Sequence, residues 1–234
     1  GSSRLKGTSN VATPHYITPE GKTVTVPYSF SDHTGAAAAI NSSASDMTKW
    51  IKMLLNGGKI GDRPLLSEKG LEEMWASHNP TKVGRRFKRL SPTTHFRSYG
   101  LGWGMFDYHG RKILTHSGAL DGMISQVALV PESGLGLVVL TNSINRLPGK
   151  VMKTIIDKYL GLPDRDWCEV NQPAKTNRKD SKLKKRSKRR KKQKQKISLA
   201  QYAGIYGGPM YGDAEISLVK GKLILNLIPS PVFI

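Results

Sequence analysis

The sequence is poor in cysteine and has no long apolar run. Cys168 is its one cysteine, so no internal disulfide can support the fold. No stretch reaches the roughly 18 consecutive apolar residues that a membrane-spanning helix needs. The histidines other than His116 show no metal-ligand spacing and no accompanying carboxylate cluster. The sequence therefore indicates no transmembrane helix, no metal site and no other cofactor.

Hydrophobic residues make up only 38% of the chain, and the cause is local. The basic tract, Lys175–Lys196, holds 14 Lys or Arg and one Asp, a net charge of +13 out of +20 for the whole chain. Such a segment buries too little apolar surface to offset the entropy of ordering. Residues 164–197 are therefore predicted to be a disordered linker between one domain at 1–163 and a second at 198–234.

The sequence of the basic tract does not identify its binding partner. It could neutralise the phosphates of a nucleic acid, although it contains no aromatic residue that would stack on bases. An anionic membrane or an acidic cell-wall polymer would serve equally well as the polyanion. The remaining interpretation is a solvated linker without a partner.

Three helices are predicted from spacing and capping signals. The first begins at the capping sequence Ser43–Asp46, carries apolar residues at helical spacing from Met47 to Leu55, and ends at Gly57-Gly58. A second covers Ser67 to about Ala76. A third opens at Pro148 and stops before Gly161.

Strands dominate the region between the second and third helices. They are predicted at four places: Tyr99–Tyr108, Lys112–Thr115, Ile124–Val130 and Leu135–Leu140. His109-Gly110 is predicted to turn the first into the second, and Leu135–Leu140 is predicted to be a central strand buried on both faces. Residues 78–98 are polar and aperiodic, which favours an exposed loop. The fold class is α/β (α+β), an antiparallel sheet flanked by helices.

The residues from Leu199 onward indicate a second, all-β domain. Glu215–Val219 and Lys222–Leu227 are predicted to pair across Lys220-Gly221. Because a single hairpin is not stable alone, further strands are expected outside the sequence. The start at Gly1 rather than Met, and an end at Pro231–Ile234 inside an apparent β segment, likewise predict a fragment of a longer protein.

Three motifs occur in order along the chain. They are Asn41–Trp50, then Tyr99-Gly100-Leu101-Gly102-Trp103, then His116-Ser117-Gly118 followed by Gly122 and Leu140-Thr141-Asn142. Together they resemble the C-terminal part of serine β-lactamase and penicillin-binding-protein-like hydrolases, in the class C, esterase/peptidase branch. The resemblance covers about residues 10–162, and the segment from Leu199 is similar to the start of the lipocalin-like β-barrel appended to some of these proteins.

The resemblance implies a serine hydrolase that works through an acyl-enzyme on an ester or amide bond. It assigns the catalytic wall to His116, Ser117, Gly118 and Ala119. The Ala119 N–H would be an oxyanion donor, Gly118 would leave room for the substrate, and His116 and Ser117 would bond the nucleophile or the substrate. His116, where relatives can have Lys, favours an esterase or peptidase over a dedicated penicillin hydrolase. The resemblance is compatible with an exported or periplasmic location, and the sequence itself leaves the location open.

The family's two other motifs, Ser-x-x-Lys and Tyr-x-Asn, are expected to lie outside the sequence. Ser3–Lys6 and Ser181–Lys184 match the first by chance, since neither opens an apolar helix. Tyr28-Ser29-Phe30 lacks the amide of the second. The fragment itself is therefore expected to be inactive, and the alternative function is a non-catalytic binding protein whose basic tract holds a polyanion.

Several aromatic and acidic residues are assigned structural roles. Tyr99, Trp103 and Phe106 are predicted to pack in the core rather than line a cleft. Asp46 is predicted to cap its helix, and Asp121 to sit in a turn.

Overall fold

The computed structural model describes residues 5, 7–28, 34–170, 197–208 and 212–228. The chain divides into two compact units, Gly1–Gln172 and Pro173–Ile234. The basic tract and most of the predicted linker lie outside the described residues, so their disorder stays a prediction. No described helix has the length and hydropathy needed to cross a membrane.

The first unit contains six helices and ten strands among its described residues. The helices are α1 (Gly35–Ala38), α2 (Ala44–Leu55), α3 (Glu68–Met74), α4 (Arg85–Leu90), α5 (Leu147–Tyr159) and α6 (Trp167–Val170). The strands are β1 (His15–Ile17), β2 (Thr23–Thr25), β3 (Lys59–Ile60), β4 (Arg63–Pro64), β5 (Asn79–Pro80), β6 (Arg97–Tyr99), β7 (Gly104–Tyr108), β8 (Arg111–Leu120), β9 (Met123–Val130) and β10 (Leu135–Thr141).

A six-stranded antiparallel sheet organises this unit, in the order β10-β9-β8-β7-β6-β5. His109 and Gly110 both have positive φ, 48° and 74°, which is the geometry of a two-residue type I′ turn between β7 and β8. This predicted turn is confirmed. The sheet and its flanking helices confirm the predicted α/β (α+β) class.

One face of the sheet is covered by α2. The Ser43 hydroxyl accepts a hydrogen bond from the Asp46 N–H at 3.1 Å, so the predicted cap is confirmed. Ile51 and Leu54 of this helix are buried in a core with Trp103, Leu114 and other apolar residues. Trp50 lies parallel to Trp103, with ring centroids 5.6 Å apart, but remains partly exposed at the edge of this core.

The opposite face is covered by α5, which is the helix predicted from Pro148 onward. Met152 and Ile156 pack against Ile113 and neighbouring sheet residues. A buried carboxylate joins this layer to the chain that follows it. Asp157 accepts hydrogen bonds from the Tyr108 hydroxyl at 2.7 Å and from the Trp167 indole N–H at 2.6 Å.

Three sequence predictions were wrong. Tyr99–Tyr108 is not one strand: β6 ends at Tyr99 and β7 begins at Gly104, with a turn between them. Leu135–Leu140 is not central, because β10 lies at the edge of the described sheet, although α2 and α5 cover its two faces. Residues 78–98 are not one loop, since they contain β5, α4 and most of β6.

The second unit contains a three-stranded antiparallel sheet, β11 (Gly204–Gly208), β12 (Gly212–Val219) and β13 (Lys222–Leu227), in that order. The predicted hairpin across Lys220-Gly221 is present. One face of this sheet is apolar, with Leu225 and Leu227 largely exposed. The lipocalin-like assignment stays a prediction.

Candidate active site at the open edge of strand β8

Strand β8 has two halves with different neighbours. Residues 111–115 pair with β7 on one side, whereas among the described strands His116–Leu120 pair with β9 alone. Beyond Thr115, β7 has ended, so this side of β8 is an exposed edge. The four predicted site residues, His116, Ser117, Gly118 and Ala119, all lie on this open half.

The pairing register shows which backbone groups face the open edge. The type I′ turn makes Tyr108 and Arg111 a hydrogen-bonded pair, and such pairs then recur at every second residue of β8, at Ile113 and Thr115. By the same alternation, the N–H and C=O groups of Ser117 and Ala119 point toward the open side. An extended ligand can therefore bind there as an added strand.

The side chain of His116 lies on the α2 face of the sheet. Its Nε2 atom is 3.0 Å from the Tyr99 hydroxyl, and the two ring centroids are 6.2 Å apart. Tyr99 is 38% exposed, so its predicted core role was wrong. Trp103 is fully packed in the core and Phe106 packs against the α5 side, as predicted.

The glycines of the Tyr-Gly-Leu-Gly-Trp motif position Tyr99. A side chain at Gly100 would collide with the Met74 carbonyl oxygen at the end of α3, and Leu101 N–H donates to that same oxygen at 3.1 Å. Gly102 has φ of +78°, which favours glycine. The motif is thus a tight turn that ends β6 beside the open half of β8.

Asp107 holds the other end of β6. Its Oδ1 atom accepts hydrogen bonds from the N–H groups of His95 and Phe96, each at 2.7 Å, and Oδ2 lies 3.1 Å from His95 Nδ1. Partial burial raises the pKa of the Asp107 carboxyl, but these hydrogen bonds outweigh burial and the net pKa is below its usual value. Residues 95 and 96 are therefore fixed immediately before β6.

Gly118 keeps the α2 face of the strand open. A Cβ atom at this position would lie 2.6 Å from the Ser125 hydroxyl oxygen and 3.9 Å from the Ser125 Cβ. The atom in near contact is the Ser125 hydroxyl oxygen, which can rotate away. A small side chain at position 118 is therefore restricted but not excluded. Glycine here leaves space for a ligand against the backbone.

Ser117 and Ala119 lie on the α5 face of the strand. On this face Thr115 donates to the Val127 carbonyl at 2.8 Å, and Gln126 donates to the Thr115 hydroxyl and to the His116 carbonyl. A cavity of about 340 Å³ opens between these residues and α5. The site thus has three parts: a backbone edge, a His116–Tyr99 face and a cavity.

The structure places no nucleophile against His116 among the described residues. Ser3, Lys6 and the whole of Ser181–Lys184 lie outside them, as do Ser29 and Phe30. A further Ser-x-x-Lys match, Ser217–Lys220, was missed in the sequence, but it lies on β12 and the following turn, not at the start of a helix. Within the described part of the chain, no three His, Cys, Asp or Glu residues come together as a metal site.

Asn142 of the third motif has a structural role. The side-chain amide of Asn142 donates to the Thr13 carbonyl at 2.9 Å. The main-chain carbonyl oxygen of Asn142 lies 3.1 Å from His15 Nδ1. His15 N–H in turn donates to the carbonyl of Gly122 at 3.2 Å, in the turn after β8. Asp121 shares this turn, so its predicted turn position is observed.

Comparisons with known proteins agree with this fold. The family model described as Beta-lactamase matches residues 3–160. A solved octameric penicillin-binding protein homologue from Pyrococcus abyssi superposes with a TM-score of 0.58 at 18% identity, over 98% of this chain and 44% of that one. This likeness shows the fold.

Two curated fungal proteins are similar in sequence. Unguisins hydrolase ungD of Aspergillus violaceofuscus is 28% identical over 216 residues, which cover 85% of this chain and 38% of that protein. Unguisins hydrolase ungD' of Aspergillus campestris is 31% identical over 140 residues, or 57% of this chain and 24% of that protein. This chain thus spans less than half the length of either relative.

Proposed function

This chain belongs to the beta-lactamase family, and from that premise we propose that the full-length protein is a serine hydrolase that acts through an acyl-enzyme. The observation that carries the proposal is the open half of β8. There the backbone of Ser117 and Ala119 faces outward, beside the His116–Tyr99 pair.

The proposed chemistry is acyl transfer to a serine and then to water. The serine oxygen attacks the carbonyl carbon of an ester or amide, and the carbonyl oxygen becomes an oxyanion that accepts a hydrogen bond from the Ala119 N–H. Loss of one such donor typically costs about 2.7–4 kcal/mol in the barrier. The leaving alcohol or amine takes the serine proton, and water later releases the acid and regenerates the serine.

His116, Ser117 and Gly118 have separate roles in this proposal. His116, oriented by Tyr99, bonds the nucleophile or the leaving group from the α2 face. The outward backbone of Ser117 aligns the substrate along the strand edge. Gly118 provides room for the bound acyl group.

The nucleophile is proposed to lie outside the 234 residues. The sequences after Ser3 and Ser181 lack helical apolar spacing, Ser217–Lys220 lies on β12 and the following turn, and the curated relatives are far longer than the matched region. The 234-residue chain alone is then inactive. By the same proposal residues 1–163 belong to the hydrolase domain, 164–197 link it to a lipocalin-like β domain, and 198–234 begin that domain.

The relatives' names and the His116 motif bear on the substrate. Both curated relatives are named as hydrolases of unguisins, and the motif favours the peptidase and esterase branch. We propose a small molecule or peptide with an amide or ester bond as the substrate.

A labelling experiment tests the proposal. The full-length protein is incubated with a fluorescent fluorophosphonate or β-lactam, and the rates of covalent labelling are compared for wild type, His116→Ala and Gly118→Val. Lys112→Met is the matched control, since Lys112 is an exposed residue on the half of β8 that pairs with β7. Both site variants should slow labelling at least tenfold while the control does not. Unchanged labelling in both would contradict the assigned roles.

The net charge of +13 in the basic tract supports a second candidate function, polyanion binding by a non-catalytic protein. Deletion of residues 175–196 tests it. Filter binding to a labelled oligonucleotide and sedimentation with anionic vesicles should detect binding only when the tract is present. Absence of binding in both forms would exclude this function.

A further inference from the structure

The open half of β8 is bonded on one side, so its far end depends on another support. Gly118 and Leu120 pair with Ser125 and Met123 of β9, and no described strand pairs with them on the other side. A strand end with one bonded neighbour opens readily unless something else holds it. The segment that contacts this end is the hairpin β1–β2 with its flanks, residues 12–28, which we call the N-terminal strap.

The strap meets β8 at Gly122, in the turn that follows the strand. The His15 N–H donates to the Gly122 carbonyl at 3.2 Å. Gly122 is buried, and a Cβ added to it would lie 2.6 Å from the Pro14 Cβ. The same Cβ would lie 2.7 Å from both the His15 nitrogen and Val26 Cγ2. The strap therefore encloses this turn and leaves it little room to move.

His15 also joins the strap to the chain that follows β10. Its Nδ1 atom lies 3.1 Å from the main-chain carbonyl oxygen of Asn142, and because a carbonyl only accepts, Nδ1 carries the proton and donates. The His15 carbonyl accepts from the Ile144 N–H at 3.4 Å. The Asn142 side-chain amide returns a bond to the Thr13 carbonyl at 2.9 Å. His15 is thus bonded both to the turn after β8 and to the segment after β10.

The strap is itself closed by internal hydrogen bonds. Strands β1 and β2 pair in antiparallel register, and the Val26 N–H donates to the Pro14 carbonyl at 3.0 Å. The Tyr28 hydroxyl donates to the Ala12 carbonyl at 3.0 Å. These bonds join the two ends of the hairpin, so the strap can act as a fixed anchor for the turn.

The anchored turn lies close to the proposed oxyanion donor. Ala119 precedes Gly122 by three residues, so a shift of the turn moves the Ala119 N–H with it. Misplacement of a reacting group by about 1 Å can cost on the order of 100-fold in rate. We infer that the N-terminal strap positions the outward-facing backbone of Ser117 and Ala119, with His15 as the positioning residue. The catalytic part of this inference rests on the proposed function.

Two glycines with the same backbone conformation provide a matched pair of variants. Gly122 has φ of +73° and Gly110, in the turn at the other end of β8, has φ of +74°. A Cβ at Gly110 would meet nothing within 4 Å. Alanine therefore strains both turns equally, and only Gly122→Ala presses on the strap.

His15 variants test the ring separately from the turn. His15→Ala removes the bond to the Asn142 carbonyl and keeps the backbone N–H that bonds Gly122. His15→Asn should restore wild-type behaviour, because its side-chain amide can donate from the position of Nδ1.

Amide hydrogen exchange of the full-length protein, resolved to single residues by mass spectrometry, tests the positioning without reference to activity. Gly122→Ala and His15→Ala should each raise the exchange rates of the Gly118 and Leu120 amides about fivefold, while Ile113 on the paired half of β8 stays unchanged. Gly110→Ala and His15→Asn should leave Gly118 and Leu120 at wild-type rates. Unchanged exchange in both test variants, or an equal rise at Ile113, would overturn the inference.

Fluorophosphonate labelling of the same full-length variants tests the effect on the reaction. Gly122→Ala and His15→Ala should slow labelling about fivefold, and His15→Asn and Gly110→Ala should not. Faster exchange with unchanged labelling would overturn the role of the strap in the reaction. Absence of labelling in wild type would instead contradict the proposed function, and the exchange rates would still decide whether the strap positions β8.

Discussion

The Tyr99 hydroxyl lies 3.0 Å from Nε2 of His116. The contact joins two sequence motifs that lie on different strands, since Tyr99 ends β6 and His116 begins the open half of β8. A glycine turn on one side and the Asp107 hydrogen bonds on the other hold Tyr99 in place. The proposed active site therefore includes a positioning residue that was assigned to the core from sequence alone.

Replacement of Tyr99 by Phe removes this hydroxyl and leaves the ring. In the full-length protein we expect fluorophosphonate labelling to slow about tenfold, or about 1.4 kcal/mol in the barrier, because the His116 ring loses its orienting hydrogen bond. Tyr159→Phe is the control, since its hydroxyl bonds the Ser133 carbonyl away from the site. Equal labelling rates for wild type and both variants would show that Tyr99 has no positioning role in the site.

Gly118 and Gly136 should differ in their effect on stability. Gly118→Ala needs only a rotation of the Ser125 hydroxyl, so the free energy of unfolding should change by less than about 1 kcal/mol. At Gly136 an added Cβ would press on Ile51, Leu55 and Leu129 in the core, which should cost about 1–3 kcal/mol. Urea unfolding of this chain measures both. A larger loss for Gly118→Ala would show that Gly118 is required by the fold rather than by the substrate.

Lys153 should make stability depend on pH in the alkaline range. Burial, and then the charge of Arg165, lower the pKa of Lys153 in the folded chain to about 8, from 10.5 for an ordinary lysine. Between these values the unfolded state binds more protons, so stability should rise with pH, by about 2 kcal/mol after allowance for partial exposure. Urea midpoints at about pH 7.5 and pH 9.5 measure the slope. Lys153→Met should flatten it, and a slope identical to wild type would contradict the assignment.

Asp157 should contribute far more to stability than an exposed aspartate. Asp157→Ala leaves the buried Tyr108 hydroxyl and Trp167 indole without their acceptor, which should cost about 2–4 kcal/mol. Asp164, whose exposed carboxylate lies 3.2 Å from Lys158 Nζ, is the comparison, and Asp164→Ala should cost less than about 1 kcal/mol. Equal midpoints for the two variants in urea would refute the buried network.

Local signals in the sequence predicted the elements that local energetics determine. The Ser43 cap and the apolar spacing of α2 depend on residues a few positions apart, and so does the His109-Gly110 turn. Helix α4 gave no such signal, because its residues are mostly Arg and Lys and its N-cap is Gly84, which has no side chain to cap with. The helix instead rests on distant contacts, among them Phe87 against Phe106, with ring centroids 5.2 Å apart, and the Arg165 guanidinium, which donates to the Leu90 carbonyl at 3.2 Å.

The candidate site was only partly visible in the sequence for a similar reason. His116, Ser117, Gly118 and Ala119 are consecutive, so a motif could identify them. Tyr99 lies beside His116 only because β6, β7 and β8 are neighbours in the sheet, and the cavity on the α5 face is formed by β8, α5 and Trp167. The edge position of β10 was missed because cover by α2 and α5 gives it the apolar sequence of a central strand.

The central claim is that the open half of β8 forms one wall of an acyl-enzyme site. Its most direct test is intact-mass and peptide mapping of the full-length protein after reaction with a fluorophosphonate, for wild type and Gly118→Val, with circular dichroism to verify folding. The account predicts one adduct per chain, on a serine outside residues 1–234, and loss of that adduct in the folded variant. Absence of an adduct in wild type, or an adduct formed at the same rate in Gly118→Val, would contradict it.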